Sequence, residues 1–355
     1  MELLQPKKRI LVAPLNWGLG HATRCIPIIN TLILHDFEPI IASDGYALEL
    51  LKKEFPQLKA IELPSYNITY AKKANSFKLK LLKDTPHLLK TIKKEKKRIA
   101  TLVKDEELSG IISDNRFGVR HKSVPSVFIT HQLRVLSGNT TWLSSKIHQN
   151  IISKFNACWV PDHSGALNLS GDLGHGTTLA NTINYIGPLT RFKKQDFQTK
   201  YQLLVLLSGP EPQRTFLEEK LIQELKDYRG NVLFIKGQVE AEQHITVQGS
   251  ITFYNFMTSE DLEKGINESE LILSRSGYTT IMDLAKLEKK AFFIPTPGQF
   301  EQLYLAKRLH DQQVAPCCKQ DKFSIKMLSE VNQYTGFKAL KTEVNLSELF
   351  SIFQG

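Results

Sequence analysis

The chain has 355 residues, of which 41% are apolar and 23% are charged, and its formal net charge is +10. This length is typical of two domains, and the apolar fraction excludes a disordered chain. No apolar run approaches the roughly 20 residues that a membrane-spanning helix needs, and the basic N-terminus with its short apolar run predicts a strand instead of a signal peptide. Four cysteines without CxxC spacing predict reduced thiols in a cytoplasmic protein.

Short apolar runs alternate with longer amphipathic segments, which is typical of parallel strands joined by helices. Near-continuous apolar runs suit strands that are buried on both faces of a sheet. In the first half we predict strands at residues 9–15, 39–43, 59–63, 110–114, 126–130 and 157–161. Residues 185–189 close this series, so residues 1–190 are predicted to form an N-terminal domain.

A long basic segment interrupts the first series. Thr85 is predicted to cap a helix that has Pro86 at its first position. The apolar residues that recur at helical spacing in it are Leu89, Ile92, Ile99 and Val103. Residues 72–98 hold eleven basic and two acidic residues. Such a segment fits either an anionic membrane surface or a solvated helix face that packs on the sheet.

A second series of strands follows a polar linker at residues 191–200. Its predicted strands are residues 202–208, 231–236, 251–256, 270–274 and 291–296, with helices at 213–226 and 299–310. Residues 201–343 are predicted to form the C-terminal domain, and residues 344–355 a final helix. The predicted fold is α/β, with two doubly wound, Rossmann-like domains whose strand ends face each other across a cleft, where such sheets bind ligands.

A glycine-rich loop follows the first strand and precedes a helix. Gly18 and Gly20 permit tight turns and the close approach of a ligand, and His21 stands where the helix begins. Amides at a helix start can bind anionic groups. An ordinary strand-to-helix turn with a surface histidine would give the same pattern.

The first strand of the second half is followed by a similar turn. Ser208 and Gly209 offer hydroxyl and amide donors, and Arg214 lies in the first turn of the next helix. A cation at the start of a helix is unfavourable in the field of the helix dipole, so an arginine at this position indicates binding to a phosphate. The alternative is a solvated arginine.

Residues 271–309 carry the most specific pattern. A strand ends at Ser274, and a helix starts at Ser276 and Gly277, where its amides could bind a diphosphate. Asp283, about two turns along that helix, can accept hydrogen bonds from ribose hydroxyls. The next helix start carries an acid and an amide that can bind sugar hydroxyls. The candidate donor-binding residues of this stretch are Arg275, Ser276, Gly277, Asp283, Glu301 and Gln302.

This stretch resembles the C-terminal domain of glycosyltransferase family 28, which includes the peptidoglycan GlcNAc transferase. The pattern is SRSG, a threonine, an acidic residue, a proline and then EQ. The first loop resembles the family's G-x-G-H loop, and it is closer to a subgroup that carries GxGHxTR. In this chain that motif consists of Gly18, Gly20, His21, Thr23 and Arg24.

The resemblance implies a GT-B fold, inversion at the anomeric carbon, a UDP-sugar in the C-terminal domain and no bound metal or other cofactor. It places His21 at the position of a general base and Gln302 at a sugar-contacting position. The residues that it places at donor-binding positions are Arg214, Ser276, Gly277 and Asp283. This chain departs from the family pattern where Asp283 replaces the usual glutamate and where prolines enter the second loop.

The leading hypothesis is therefore an inverting glycosyltransferase. His21 would take a proton from an acceptor hydroxyl, because its ordinary pKa lies near working pH. Asp114, at the end of a strand, could orient His21, although a turn cap is the alternative role for it. The chain lacks the D-x-D pair of metal-dependent transferases, so amides and Arg214 would neutralise the leaving group.

Two other functions remain open from the residues. A UDP-sugar 2-epimerase shares the fold but needs further carboxylates around the sugar. A nucleotide-sugar-binding protein without catalysis needs no base. For the transferase we expect a nucleotide-sugar donor, a hydroxyl acceptor that is lipid-linked if the basic segment contacts a membrane, and peripheral placement at the inner face of that membrane. Nucleic acid is not a predicted partner, because few aromatic residues interleave the charges.

Overall fold

The structure is a computed structural model that describes residues 6–67, 77–166, 168–176, 182–209, 211–337 and 346–354. Residues 72–76 of the basic segment lie outside the described residues, and so do the side chains of residues 77–85. Pro210 of the second glycine loop lies outside them as well.

The N-terminal sheet has seven parallel strands in the order β3-β2-β1-β4-β5-β6-β7. The strands are β1 (Arg9–Pro14), β2 (Glu38–Ser43), β3 (Ala60–Glu62), β4 (Leu108–Asp114), β5 (Ser126–Ile129), β6 (Ala157–Val160) and β7 (Ile183–Tyr185). The helices are α1 (Gly20–Leu34), α2 (Gly45–Glu54), α3 (Phe77–Asp105) and α4 (Thr141–Ile152). The sheet is buried on both faces, because Ile10 and Val12 pack with α1 and α2 while Leu11 and Ala13 pack with α3.

The C-terminal sheet has six strands in the order β10-β11-β9-β8-β12-β13. The strands are β8 (Tyr201–Leu206), β9 (Val232–Ile235), β10 (Ile245–Gln248), β11 (Ile251–Tyr254), β12 (Ser269–Ser274) and β13 (Lys290–Phe293). The helices are α5 (Gln213–Glu224), α6 (Ser259–Asn267), α7 (Tyr278–Lys286), α8 (Phe300–Asp311) and α9 (Leu346–Leu349).

All eleven predicted strands are present, and their ends differ from the prediction by at most three residues. The predicted GT-B arrangement of two doubly wound domains is confirmed. Two strands are additional, and one of them, β10, pairs antiparallel with β11 at the sheet edge. The residues of β10 are all exposed, so this strand lacks the apolar run by which the other strands were predicted. The signal in the sequence that could have indicated a hairpin was Gly249 in the connecting turn.

The predicted start of the basic helix is wrong. The helix α3 begins at Phe77 and contains Pro86, which removes one backbone donor without ending a 29-residue helix. The predicted apolar face is also shifted, because Leu89 is 56% exposed while Thr91 and Glu95 are buried. The polar side chain of Glu95 takes this position because Arg116 binds it through Nε at 2.8 Å.

The C-terminal helix returns to the N-terminal domain. Phe350 and Phe353 after α9 are buried against it, and the Phe350 ring lies 5.8 Å from that of Phe37. Lys8 donates to the Phe353 carbonyl at 3.2 Å. Among the described helices, none combines the length and the apolar character that crossing a bilayer requires.

The two domains touch along the carboxyl ends of their sheets. Helix α1 lies against α7, where Thr279 Oγ1 donates to the Gly20 carbonyl at 3.0 Å. Tyr278 of the same helix donates to the Pro161 carbonyl at 2.9 Å. The predicted cleft is thus closed by direct contacts, and it is lined by the loops that the sequence singled out.

Candidate active site between the two domains

His21 and Asp114 meet at the carboxyl end of the N-terminal sheet. Strands β1 and β4 are neighbours, with Pro14 paired to Asp114, so the loop after β1 passes over the end of β4. Helix α1 then starts at Gly20 and places His21 Nδ1 2.8 Å from Asp114 Oδ1. Asp114 is fully buried. The structure thus contains the contact that was expected from strand order, and the catalytic role of the pair stays a prediction.

A third residue completes this pair, and its role was missed from the sequence. Arg24 lies one helical turn after His21 and is 1% exposed. It donates from Nε and Nη2 to the two carboxylate oxygens of Asp114. Its Nη1 lies 3.0 Å from His131 Nδ1, just after β5. The spacing of His21 and Arg24, three residues apart on one helix face, was the signal available in the sequence.

Burial and neighbouring charges together set the pKa values of Asp114 and His21. Burial opposes ionisation of Asp114, but Arg24 and His21 outweigh it and lower the pKa of Asp114 to about 2. Burial lowers the pKa of His21, and Arg24 and His131 add to this effect against Asp114. At neutral pH the site therefore holds a carboxylate beside a neutral imidazole, which can accept a proton.

The glycine loops of the two domains face each other. Gly18 has φ +71° and Gly209 has φ +104°, and both values favour glycine. The Cα of Gly209 is 4.0 Å from the position that a Cβ of Gly18 would take. A Cβ on Gly20 would approach Thr279 Oγ1 to 2.9 Å. The sequence predicted a close approach at these glycines, and in the structure it is a contact between the two domains. Ser208 directly precedes Gly209 in this contact.

The start of α7 is built as the sequence predicted. Ser276 follows β12 and is fully buried, and its hydroxyl donates to the Gln302 carbonyl at 2.8 Å. Gly277 is the N-cap of α7. Gln302 Oε1 in turn accepts from the Thr296 amide at 2.7 Å. The starts of α7 and α8 are thus joined by a hydrogen bond, and their contacts with a sugar donor stay predictions.

Glu301 at the start of α8 reaches the other domain. Its Oε1 accepts from His131 Nε2 at 2.8 Å, and its Oε2 accepts from Gln132 Nε2. Burial raises the pKa of the Glu301 carboxyl, but His131 outweighs it, so the pKa lies below its usual value. The ring of Tyr278 stacks on His131 with centroids 4.2 Å apart. Glu301 is therefore an ionised acceptor at the domain boundary.

Asp283 faces the segment that joins the domains. Thr190 Oγ1 donates to its Oδ1 at 2.8 Å. Burial raises the pKa of Asp283 to about 6, and nearby Arg191 opposes this only partly. The predicted ribose contact of Asp283 stays a prediction, and in this structure Thr190 occupies one of its acceptor positions.

Two predicted donor-binding arginines are engaged within their own domain. Arg214 is buried, so it is not a solvated arginine, and it pairs with Glu211 and Glu218. Arg275 donates to the backbone carbonyls of Ile294 at 3.1 Å, Pro295 at 3.2 Å and Gln213 at 2.8 Å. The two side chains position loops around the cleft, and direct contacts with a phosphate stay predictions. In the part of the chain that the structure describes, no three His, Cys, Asp or Glu side chains cluster as metal ligands.

Comparison with known proteins relates the chain to glycosyltransferases. A sequence model of the glycosyltransferase family 28 C-terminal domain matches residues 190–345, which include α7, α8 and their loops. The chain has the GT-B fold, and this match supports a glycosyltransferase related to family 28. It is 23% identical over 321 residues to an uncharacterized glycosyltransferase of Methanosarcina acetivorans, covering 83% of this chain and 81% of that protein.

A second relative has a named activity. The chain is 25% identical over 235 residues to the UDP-N-acetylglucosamine–N-acetylmuramyl-(pentapeptide) pyrophosphoryl-undecaprenol N-acetylglucosamine transferase of Buchnera aphidicola, over 62% of this chain and 61% of that enzyme. Among solved structures, spinosyn rhamnosyltransferase SpnG superposes with a TM-score of 0.62, at 12% identity over 98% of this chain and 95% of that one. This last similarity shows the fold alone.

Proposed function

We propose that the chain transfers a hexose or N-acetylhexosamine from a UDP-sugar to a hydroxyl of an acceptor, with inversion and without a metal ion. The observation that carries this proposal is the buried His21–Asp114 pair, placed directly against the start of α7 through Gly20 and Thr279. A base on one domain thereby faces the predicted donor site on the other.

The proposed reaction is a single displacement. His21 Nε2 takes the proton of the acceptor hydroxyl while its Nδ1–H donates to Asp114, which stabilises the imidazolium that forms. The acceptor oxygen bonds to the anomeric carbon from the face opposite the nucleotide. The bond to the phosphate oxygen breaks, and UDP leaves with that electron pair. One displacement inverts the anomeric configuration.

The donor assignment rests on the relative's activity and on the geometry of the C-terminal domain. The Buchnera enzyme is named for UDP-N-acetylglucosamine. Here, the start of α7 offers backbone amides to a diphosphate, and Asp283 lies on the same helix for the ribose. Glu301 and Gln302 begin the neighbouring helix, where their side chains would bind sugar hydroxyls. Helix amides would offset the charge of the leaving group in place of a metal.

The test is a panel of UDP-sugars in which release of UDP is measured with and without hydroxyl acceptors. We expect acceptor-dependent UDP release that persists in EDTA. Interconversion of the sugar without UDP release would instead identify an epimerase. Binding of UDP without either reaction would identify a nucleotide-sugar-binding protein, and loss of activity in EDTA would contradict the metal-free scheme.

We further propose that the acceptor is lipid-linked and that the protein meets it at the inner, cytoplasmic face of an anionic membrane. Helices α3 and α4 lie on the same face of the N-terminal sheet, because Leu11 packs with α3 while Phe128, which points the same way, packs with α4. The described part of α3 exposes Lys90, Lys93, Lys94, Lys96, Lys97 and Arg98.

The same face carries exposed apolar side chains. In the first two turns of α4, Trp142 is 72%, Leu143 51% and Ile147 55% exposed. Lys146 lies over the Trp142 ring with Nζ 5.1 Å from its centroid. An aromatic and aliphatic turn flanked by basic residues suits the boundary between lipid head groups and acyl chains. Helix α4 starts at the carboxyl edge of the sheet, so this surface adjoins the His21 edge.

Flotation with vesicles tests the membrane proposal. We expect binding to vesicles that contain phosphatidylglycerol, weakened by salt, and no binding to purely zwitterionic vesicles. Trp142→Ser together with Leu143→Ser should reduce it, whereas Phe216→Ser, at an exposed aromatic of the C-terminal domain, should not. A wild-type protein that stays unbound at low salt with anionic vesicles would contradict the proposal and favour a soluble acceptor.

A further inference from the structure

A chain of buried polar contacts joins the two domains through Arg24. It runs from His21 and Asp114 to Arg24, then to His131 at 3.0 Å and to Glu301 at 2.8 Å. The first four residues belong to the N-terminal domain and the fifth to the predicted sugar side of the C-terminal domain. The groups facing His21 are thus Asp114 from β4, Arg24 from α1 and His131 from the loop after β5, with Glu301 behind His131.

The direction of these hydrogen bonds follows from the chemistry of the groups. A guanidinium only donates, so His131 Nδ1 must accept from Arg24. The proton of His131 is then on Nε2, which donates to Glu301. The stacked ring of Tyr278, inclined by 9° to His131, holds the imidazole in this plane. Glu301 therefore selects the tautomer of His131 that can accept from Arg24.

Arg24 in turn bears on the tautomer of His21. His21 Nδ1 lies 2.8 Å from Asp114 Oδ1 and 2.9 Å from Arg24 Nη2. When Nδ1 carries the proton, it donates to Asp114, and Nε2 is free to act as a base. When Nδ1 is unprotonated, it accepts from Arg24, and the proton on Nε2 abolishes the base. The orientation of the guanidinium decides between these two states.

We propose that Arg24 and His131 are positioning residues that couple the His21–Asp114 pair to Glu301, so that His21 has the base-competent tautomer while Glu301 holds His131. This inference rests on the proposed function for its meaning in catalysis. With His131 anchored, Arg24 has an acceptor for Nη1 and stays along the Asp114 carboxylate. Without that anchor, the guanidinium is no longer held along the carboxylate, and Nη2, which already lies 2.9 Å from His21 Nδ1, can donate to it in place of Asp114.

Tautomers can be read directly from the ring nitrogen signals in NMR spectra of protein with labelled histidines. Signals are assigned with His21→Gln and His131→Gln. In the wild type we expect His21 protonated at Nδ1 and His131 at Nε2. Glu301→Ala should give His131 a mixed tautomer and raise the Nε2–H fraction of His21, although residue 301 does not touch His21. Glu260→Ala, an exposed carboxylate on α6, should change neither signal.

A double-mutant cycle shows whether the coupling passes through Arg24. Arg24→Lys keeps the charge but lacks the planar fork with which Arg24 binds both oxygens of Asp114 and also His131, so Glu301→Ala should have no further effect on His21 in that background. A His21 signal unchanged by Glu301→Ala in an otherwise wild-type chain would overturn the proposal. So would an equal response with and without Arg24→Lys.

The measurement separates this inference from the proposed function. It needs no substrate, so tautomer coupling without any UDP release would leave the coupling intact and remove the transferase. UDP release with uncoupled tautomers would support the transferase and overturn the coupling. Thermal unfolding of each variant precedes the spectra, and if Arg24→Lys does not fold, the response of His21 to Glu301→Ala decides alone.

Discussion

Two buried carboxylates at the cleft, Asp114 and Asp283, respond to burial in opposite ways. Asp114 is surrounded by Arg24 and His21, and its pKa falls to about 2. Asp283 has a hydroxyl from Thr190 and only a partial contribution from Arg191, and burial raises its pKa to about 6. The carboxylate on the base side is therefore paired with charged groups of its own domain. On the donor side, Asp283 accepts from Thr190 of the joining segment, and Glu301 accepts from His131 of the other domain.

The largest expected effect follows from this comparison on the base side. Asp114→Asn leaves the Arg24 guanidinium buried without its anionic partner. We expect a loss of about 3–5 kcal/mol in the free energy of unfolding, the range for breaking a buried ion pair. Urea unfolding measures it, with Asp196→Asn in the exposed linker as the control. A change as small as that of the control would mean that Asp114 is not the charge on which this side depends.

Substitution of the donor-side carboxylate Asp283 should change the free energy of unfolding with the opposite sign to substitution of Asp114. The pKa of Asp283 rises from 3.8 to about 6 on folding, so the folded state binds its proton more tightly. The stability that protonated Asp283 contributes is fully present below the unfolded pKa of 3.8, and it is lost as pH rises through the folded pKa of about 6. Asp283→Asn should therefore stabilise the protein at pH 8 by on the order of 1–3 kcal/mol, with little difference near pH 4. Unfolding curves at the two pH values test it, and destabilisation at pH 8 would contradict it.

The smallest effect concerns competition for Asp283. If ribose takes the acceptor position that Thr190 now fills, Thr190→Val should tighten UDP binding by about twofold to tenfold, since one hydrogen bond is worth about 0.5–1.5 kcal/mol. Calorimetric titration with UDP measures the affinity, and Thr101→Val on the exposed face of α3 is the control. Weaker binding in Thr190→Val would show that Thr190 supports the nucleotide site instead of competing for it.

The fold was predictable because buried parallel strands are continuous apolar runs. The contact of His21 with Asp114 was predictable as well, because His21 follows β1 and Asp114 ends β4, and these two strands end at one edge of the sheet. The ion pairs of Arg214 could have been predicted from the sequence but were missed. Glu211 and Glu218 stand three residues before it and four after it, which is the spacing of ion pairs on one helix.

The contacts between domains could not be predicted from local patterns. His131 and Glu301 are 170 residues apart, and their meeting depends on how the two sheets face each other. The same holds for Thr190 and Asp283, which meet because the joining segment passes α7. The start of α3 was missed for a different reason. Thr85 and Pro86 form a good helix start, but the helix continues through the proline to Phe77.

The most direct test of the account is the rate of UDP release by His21→Ala, measured beside its affinity for UDP. The account predicts an unchanged dissociation constant for UDP and transfer slower by about 10²-fold or more, the usual contribution of a general base. His244→Ala, an exposed histidine of the C-terminal domain, should match the wild type in both measurements. Unchanged turnover in His21→Ala would remove His21 from the mechanism and contradict the account.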